Sequence, residues 1–208
     1  MKRVRRDAHI FEKAADGFYV EPAWCSERLF EVETFAPMIF DPACGWGTIL
    51  RSAKAAGYDV VGGDIVDRKQ KKPSRDFLFT KKDFFRVKNP REHQVKHLQS
   101  GRNVSIITNP PFDHVQEFCE HALSLVDKVA MIMLLRRLNA AHWLRKLPLK
   151  TIYLLTPRPS MPPGAWIAAG NKPGGGTQDF CWIVMQRGYR KAPQLKWLHR
   201  DHDRGQLS

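Results

Sequence analysis

The sequence predicts an α/β domain built on a doubly wound, mostly parallel sheet with helices on both faces. Short apolar runs recur along the chain, among them Val104-Ser105-Ile106-Ile107-Thr108 and Val129 to Leu135, and stretches of helical spacing separate them. A strand at Met38-Ile39-Phe40 passes through Asp41-Pro42-Ala43-Cys44-Gly45-Trp46-Gly47 into small and apolar residues from Thr48 to Ala56. Strand, glycine turn and helix form the first unit of such a sheet. At 208 residues and 43 % hydrophobic content, the chain suits one domain with a sizeable core.

Taken in order, residues 1–17 are polar, basic and aperiodic, and read as an N-terminal arm. Phe18-Tyr19-Val20-Glu21-Pro22 leads into a helical pattern from Ala23 to Val32, with Pro22 placed for a first turn. Gly57 stops the helix that follows the glycine turn, and Tyr58 to Asp64 is a second strand. The third strand ends at one of two aromatic pairs, in Phe77-Leu78-Phe79 or at Phe84-Phe85. Val104 to Thr108 is the fourth strand, His114 to Val126 a helix, Val129 to Leu135 the fifth strand, Asn139 to Leu147 a helix and Thr151 to Leu155 the sixth strand. Phe180 to Met185 completes a seven-stranded sheet. The Pro- and Gly-dense stretch from Arg158 to Gly176 predicts a mobile loop near the site, with a functionless disordered insert as the alternative. Beyond Gly188 the basic, polar chain reads as a tail, so the expected organisation is an arm (1–17), a main domain (18–188) and a tail (189–208).

Composition narrows the function. No apolar run approaches about 18 residues, and the opening residues lead into charge rather than an apolar signal core, so a cytoplasmic protein is expected. Cys25, Cys44, Cys119 and Cys181 are widely spaced and form no CxxC or Cys/His pattern, which argues for reduced thiols and against a zinc site. The net charge of +13 is concentrated: from Arg68 to Arg102 there are twelve Lys or Arg against three acids. A solvated surface is the plain reading of a charge run, but an excess of this size favours a polyanionic partner, a nucleic acid.

Asn109-Pro110-Pro111-Phe112 falls at the carboxyl end of the fourth strand. Two prolines fix φ and remove two backbone donors, which leaves carbonyls presented beside an amide and an aromatic face. Gly45 and Gly47 let the backbone approach a ligand from a helix start, a weak signal alone. Asp64 strengthens it, because an acid after the second strand can hold both hydroxyls of a ribose. The turn lacks GxGxxG spacing and carries Asp41, whose charge would repel a pyrophosphate; a nucleoside with a cationic tail fits better.

These motifs carry a resemblance. Asp41 to Gly47 resembles the cofactor motif of class I S-adenosylmethionine-dependent methyltransferases, and Asn109-Pro110-Pro111-Phe112 resembles the catalytic motif of amino-methyltransferases acting on adenine or cytosine. The order of elements is similar to that of small phage or prophage N6-adenine DNA methyltransferases, over about Phe18 to Gly188. The resemblance implies a Rossmann-like class I methyltransferase fold, S-adenosylmethionine as cofactor and DNA as partner. It implies that Asn109 and the Pro110 carbonyl, with Pro111 in the same motif, accept the amine hydrogens while Phe112 stacks on a flipped base. Asp41 would lie near the methionine end, and Ala43, Cys44, Gly45 and Gly47 of the same motif would bind the cofactor; Asp64 would grip the ribose, and Ile65 would meet the adenine face. Asp83-Phe84 or its rival Asp76-Phe77 would meet the adenine amine and edge, with short connections favouring Asp83. Tyr19, Glu21 and Pro22 resemble the element that closes over the methionine moiety. Cytosine N4, RNA adenine, a protein glutamine amide and a silent nucleic-acid-binding module remain open, and low sequence specificity is expected because little chain is left for a reading domain.

Overall fold

The computed structural model describes residues 17–68, 76–90 and 103–201. Most of the predicted arm and much of the basic stretch between Arg68 and Arg102 lie outside the described residues.

Eight strands form one sheet: β1 (Met38–Asp41), β2 (Asp59–Asp64), β3 (Leu78–Lys81), β4 (Val104–Thr108), β5 (Lys128–Leu134), β6 (Leu149–Thr156), β7 (Phe180–Gln186) and β8 (Gln194–His199). Their order is β3-β2-β1-β4-β5-β7-β6-β8. β7 runs antiparallel to both β5 and β6, and the other pairings are parallel. The chain winds outward from β1 through β2 to β3, then crosses to β4 on β1's other side, so the direction of winding reverses between β1 and β4. Such a switch point leaves a crevice at the strands' carboxyl ends.

Helices α1 (Trp24–Val32) and α2 (Thr48–Ala55) cover one face, and α3 (Val115–Leu125) covers the other. The continuous apolar run of β5 serves both. Val129, Met131 and Met133 join the cluster under α3, whereas Ala130, Ile132 and Leu134 join the cluster under α1 and α2. A strand buried on both faces has no polar alternation, which is why it reads as an unbroken run. Trp182 at the centre of β7 is fully buried and donates its Nε1–H to the Cys25 carbonyl at 2.8 Å, pinning α1 to the sheet.

Three expectations change, and one open choice is resolved. The seven-stranded sheet has an eighth strand, because part of the predicted tail pairs with β6 from Thr151↔Gln194 to Thr156↔His199. The predicted helix from Asn139 to Leu147 is replaced by two 3₁₀ segments, Leu135–Ala140 and His142–Lys146, which break at Ala141 (ψ 58°). The backbone bonds here span three residues, Ala141 N–H to Leu138 O, Leu144 N–H to Ala141 O and Leu147 N–H to Leu144 O, and just upstream Leu135 N–H donates to Asp179 O, Arg136 to Gln178, and Arg137 to Phe112 O and Asp113. Of the two aromatic pairs offered for the third strand, Phe79 lies in β3 and Phe84–Arg86 is a following 3₁₀ turn. The Pro- and Gly-rich stretch contains a short helix, α4 (Gly164–Ala168), and is tied to the upstream segment through Val20 N–H to Pro162 O (2.9 Å), Gly164 N–H to Phe18 O (3.1 Å) and a bridge between Tyr19 and Pro163.

Candidate active site

A cavity of about 760 Å³ opens at the carboxyl edge of the sheet. Its wall draws on the chain after each of β1 to β5 and on the start of β7, which reaches the same edge because it is antiparallel.

The glycine turn forms one side. Gly45 (φ 52°) and Gly47 (φ 84°) adopt left-handed backbone that strains other residues, and a Cβ on Gly45 would strike the Phe18 ring. Asp64, buried at the end of β2, accepts from Gly45 N–H at 3.0 Å and from Val66 N–H at 2.9 Å, and Arg68 approaches it to 3.7 Å. The carboxylate therefore braces the turn as well as facing the cavity. Arg68 also lies 4.3 Å over the Phe18 ring, which packs edge-on against Trp46.

The Asn109 end is more constrained. Asn109 Nδ2 donates to Glu21 Oε2 at 2.9 Å and to the Tyr19 carbonyl at 3.4 Å, while its Oδ1 is buried and has no hydrogen-bond partner among the described residues. An unsatisfied buried acceptor is uncommon and calls for an explanation. Phe112 stacks on Tyr19 (centroids 5.7 Å, planes 19° apart) and tilts against Phe180 at 5.6 Å. One face of the proposed base platform is thus already covered by Tyr19.

Burial dominates the electrostatics. It raises the Glu21 carboxyl from its ordinary 4.5 to about 7, against the opposing pull of the Asn109 donor and the Arg51 charge. It also pushes Asp41 well above the usual carboxylate range, with the Thr108 hydroxyl and the Ala43 N–H opposing and Glu21 reinforcing. The upward shift weakens the basis for expecting Asp41 to repel a pyrophosphate.

Of the predicted site residues, Tyr19, Glu21, Asp41, Ala43, Cys44, Gly45, Asp64, Ile65, Asp83, Phe84, Asn109, Pro111 and Phe112 line the cavity. Pro22, Gly47 and the buried Pro110 stand outside that lining. Asp83 is on the wall and accepts from Phe85 N–H at 3.0 Å, whereas Asp76 is outside it and pairs with Lys54 at 3.2 Å. Sequence reasoning did not single out Phe18, Arg68, Arg136 or Arg137, which join the lining. It also gave His114 no role, although His114 lies at the same cavity. Their signal was the basic run beginning at Arg136 and the aromatic residue ahead of Tyr19, but only the fold brings them to one wall.

No protein-family model matches the chain, and no curated protein matches it in sequence. The fold is the Rossmann-like α/β fold found in methyltransferases, with one strand beyond the seven expected. A predicted O-methyltransferase from Agrobacterium tumefaciens superposes with a TM-score of 0.52 at 17 % identity, covering 85 % of each chain. The ribosomal protein L11 methylase from Lactobacillus delbrueckii subsp. bulgaricus superposes at 0.50 with 12 % identity, over 82 % of this chain and 83 % of that one. A hemolysin candidate from Lactococcus lactis reaches 0.56 at 11 % identity, over 85 % and 91 %.

Proposed function

We propose that this chain is an S-adenosylmethionine-dependent methyltransferase that acts on the exocyclic N6 amine of adenine in DNA, after base flipping and with low sequence specificity. The observation that carries the reading is Asn109. Its amide nitrogen is committed to Glu21 and Tyr19, and its buried oxygen has no donor among the described residues. That is what an acceptor for a substrate amine requires.

The residues also fit the cofactor. Gly45 lies on the cavity wall with the Phe18 ring packed where a Cβ would be, Asp64 and Asp83 supply carboxylates suited to hydroxyl and amine donors, and Ile65 and Phe84 supply apolar edges. A volume of about 760 Å³ falls within the usual range for small-molecule sites. When bound, S-adenosylmethionine would supply an electrophilic methyl on a sulfonium, whose departure leaves a neutral thioether.

An adenine amine is a poor nucleophile because its lone pair is delocalised into the ring. Acceptors on its hydrogens favour a pyramidal nitrogen able to attack, and Asn109 Oδ1 with the Pro110 carbonyl would fill that role. Positioning and preorganised dipoles would then carry the catalysis: the nitrogen–methyl bond would form as the methyl–sulfur bond breaks, the methylated nitrogen would shed its extra proton to water, and no covalent enzyme intermediate is needed. Phe112, backed by Tyr19 and Phe180, would stack on the extruded base, worth about 1–3 kcal/mol against the few kcal/mol that flipping costs. The net charge of +13 and the arginines at the cavity, Arg68, Arg136 and Arg137, support a polyanionic substrate.

The test is incubation with labelled S-adenosylmethionine and, separately, unmethylated DNA, RNA or protein, followed by mass spectrometry of the product. N6-methyladenine in DNA is expected. N4-methylcytosine, methylated RNA or a methylated glutamine would redirect the acceptor, and no transfer to any of them would overturn the reading. Asn109→Ala should lower transfer by about 100-fold or more while cofactor affinity changes by less than about threefold.

A further inference from the structure

An asparagine amide has no intrinsic preference between its two orientations, since a half-turn exchanges oxygen and nitrogen; its partners decide. The partners of Asn109 Nδ2 are the Tyr19 carbonyl, which can only accept, and the Glu21 carboxyl, 88 residues away in sequence. An ionised carboxylate also can only accept, and therefore admits only the NH₂ side of Asn109. A protonated Glu21 has an O–H to give, and the acceptor beside it that lacks a donor among the described residues is Asn109 Oδ1. Turning the amide would satisfy that oxygen and remove it from the substrate; it would give up the bond to the Tyr19 carbonyl, which at 3.4 Å is long and weak beside the 2.9 Å bond to Glu21.

We propose that Glu21 is a positioning residue: its ionised carboxylate locks the Asn109 amide with the oxygen free for a substrate amine, and protonation of Glu21 releases the lock and switches transfer off. This rests on the methyl-transfer reading of the cavity, with Asn109 as the acceptor. Glu21 is 8 % exposed. Arg51 and Thr48 face it from α2, and Asp41 faces it from the end of β1. Cys25 faces it from α1, and Asn109 from the chain after β4. Arg51 is the cation in that set and favours the carboxylate, but its Nη1 is spent on the Trp46 carbonyl at 2.9 Å. Burial outweighs it and leaves Glu21 titrating at about 7, where a change of one pH unit alters the locked fraction severalfold.

Glu21→Gln tests the lock, because a side-chain amide offers a donor as well as an acceptor and so mimics the protonated acid. For the wild type, kcat should rise with pH and level off above a midpoint near 7. The E21Q protein should show a flat profile, with kcat lower by about tenfold or more at about pH 8.5 and cofactor affinity within about threefold. Wild-type kcat with a wild-type pH profile in E21Q would overturn the proposal. A second readout does not depend on turnover: the side-chain ¹H–¹⁵N pair of Asn109, assigned by its disappearance in Asn109→Ser, should titrate near pH 7 in the wild type and be pH-independent in E21Q. An Asn109 signal that ignores pH in the wild type sinks the lock even where DNA is methylated. A signal that titrates in a protein that transfers no methyl group sinks the functional reading and leaves the coupling standing.

Discussion

At Asp64 the bracing of the glycine turn and the proposed grip on a ligand would share the same two oxygens. Two backbone N–H groups of the chain, from Gly45 and Val66, already occupy them, so anything Asp64 offers a ligand comes from its remaining lone pairs. Asp64→Asn keeps the shape but turns one acceptor into a donor facing a buried N–H. Destabilisation of about 1–3 kcal/mol is expected in chemical melts, together with cofactor affinity weakened by about tenfold or more in calorimetry. The position of Asp64 was legible because an acid ending a strand is a local pattern. Its neighbour Arg68 was not: what matters about Arg68 is the Phe18 ring beneath it, and no spacing rule connects the two. The same holds for the orientation of Asn109. Its motif is visible in four consecutive residues, whereas the groups that orient its amide come from Tyr19 and Glu21.

At the level of elements, legibility followed burial. β1, β2, β4, β5 and β7 carry dense apolar runs, and each was located to within about two residues because the core demands those side chains on both faces. β8 was read as tail because it is an edge strand, with Gln194 to Trp197 exposed and only Leu198 fully packed. It is nonetheless bonded along its length to β6, and it anchors α1 through Arg28 Nε to His199 O at 2.9 Å. A protein stopped after Gly188 should therefore not behave as one relieved of a dispensable tail. Loss of Leu198 burial alone is worth about 1.5–3 kcal/mol, and the uncovered edge of β6 invites strand-to-strand association. A lower melting temperature and concentration-dependent oligomers on size-exclusion chromatography are the expected outcome; a melt unchanged from the full chain would remove β8 from the stability of the sheet.

For the molecule as a whole, buried carboxyls set the response to pH. Burial gives Glu21 and Asp41 raised values in the fold, so the folded chain binds their protons more tightly than the unfolded chain does. Their stabilising contribution is complete below the unfolded value and is lost as pH rises through the folded one. For Glu21 the window runs from 4.5 to about 7, which corresponds to roughly 3 kcal/mol. Glu33 acts with the opposite sign. Its burial pushes upward, but Lys128 at 2.6 Å, Lys150 at 3.0 Å and the Tyr153 hydroxyl at 2.9 Å together hold its value below the ordinary 4.5. Its contribution is therefore present above 4.5 and fades as pH falls below it. Thermal melts should peak near about pH 4.5 and fall as pH rises toward about 7, with a shallower fall in E21Q. A melting temperature that climbs steadily from about pH 5 to pH 8 would contradict this assignment.

The placement of β7 between β5 and β6 has a consequence for how the chain is made. β6 pairs only with β7 and β8 among the described strands, and both follow it in sequence. During synthesis the apolar segment from Leu149 to Thr156 leaves the ribosome with no strand to receive it. It must wait through the Pro- and Gly-rich stretch until Phe180 to Gln186 emerges and slots in against β5. The cavity wall that Phe180 completes is unfinished for the same interval, so a nascent chain acquires its cavity only when its sheet is nearly complete.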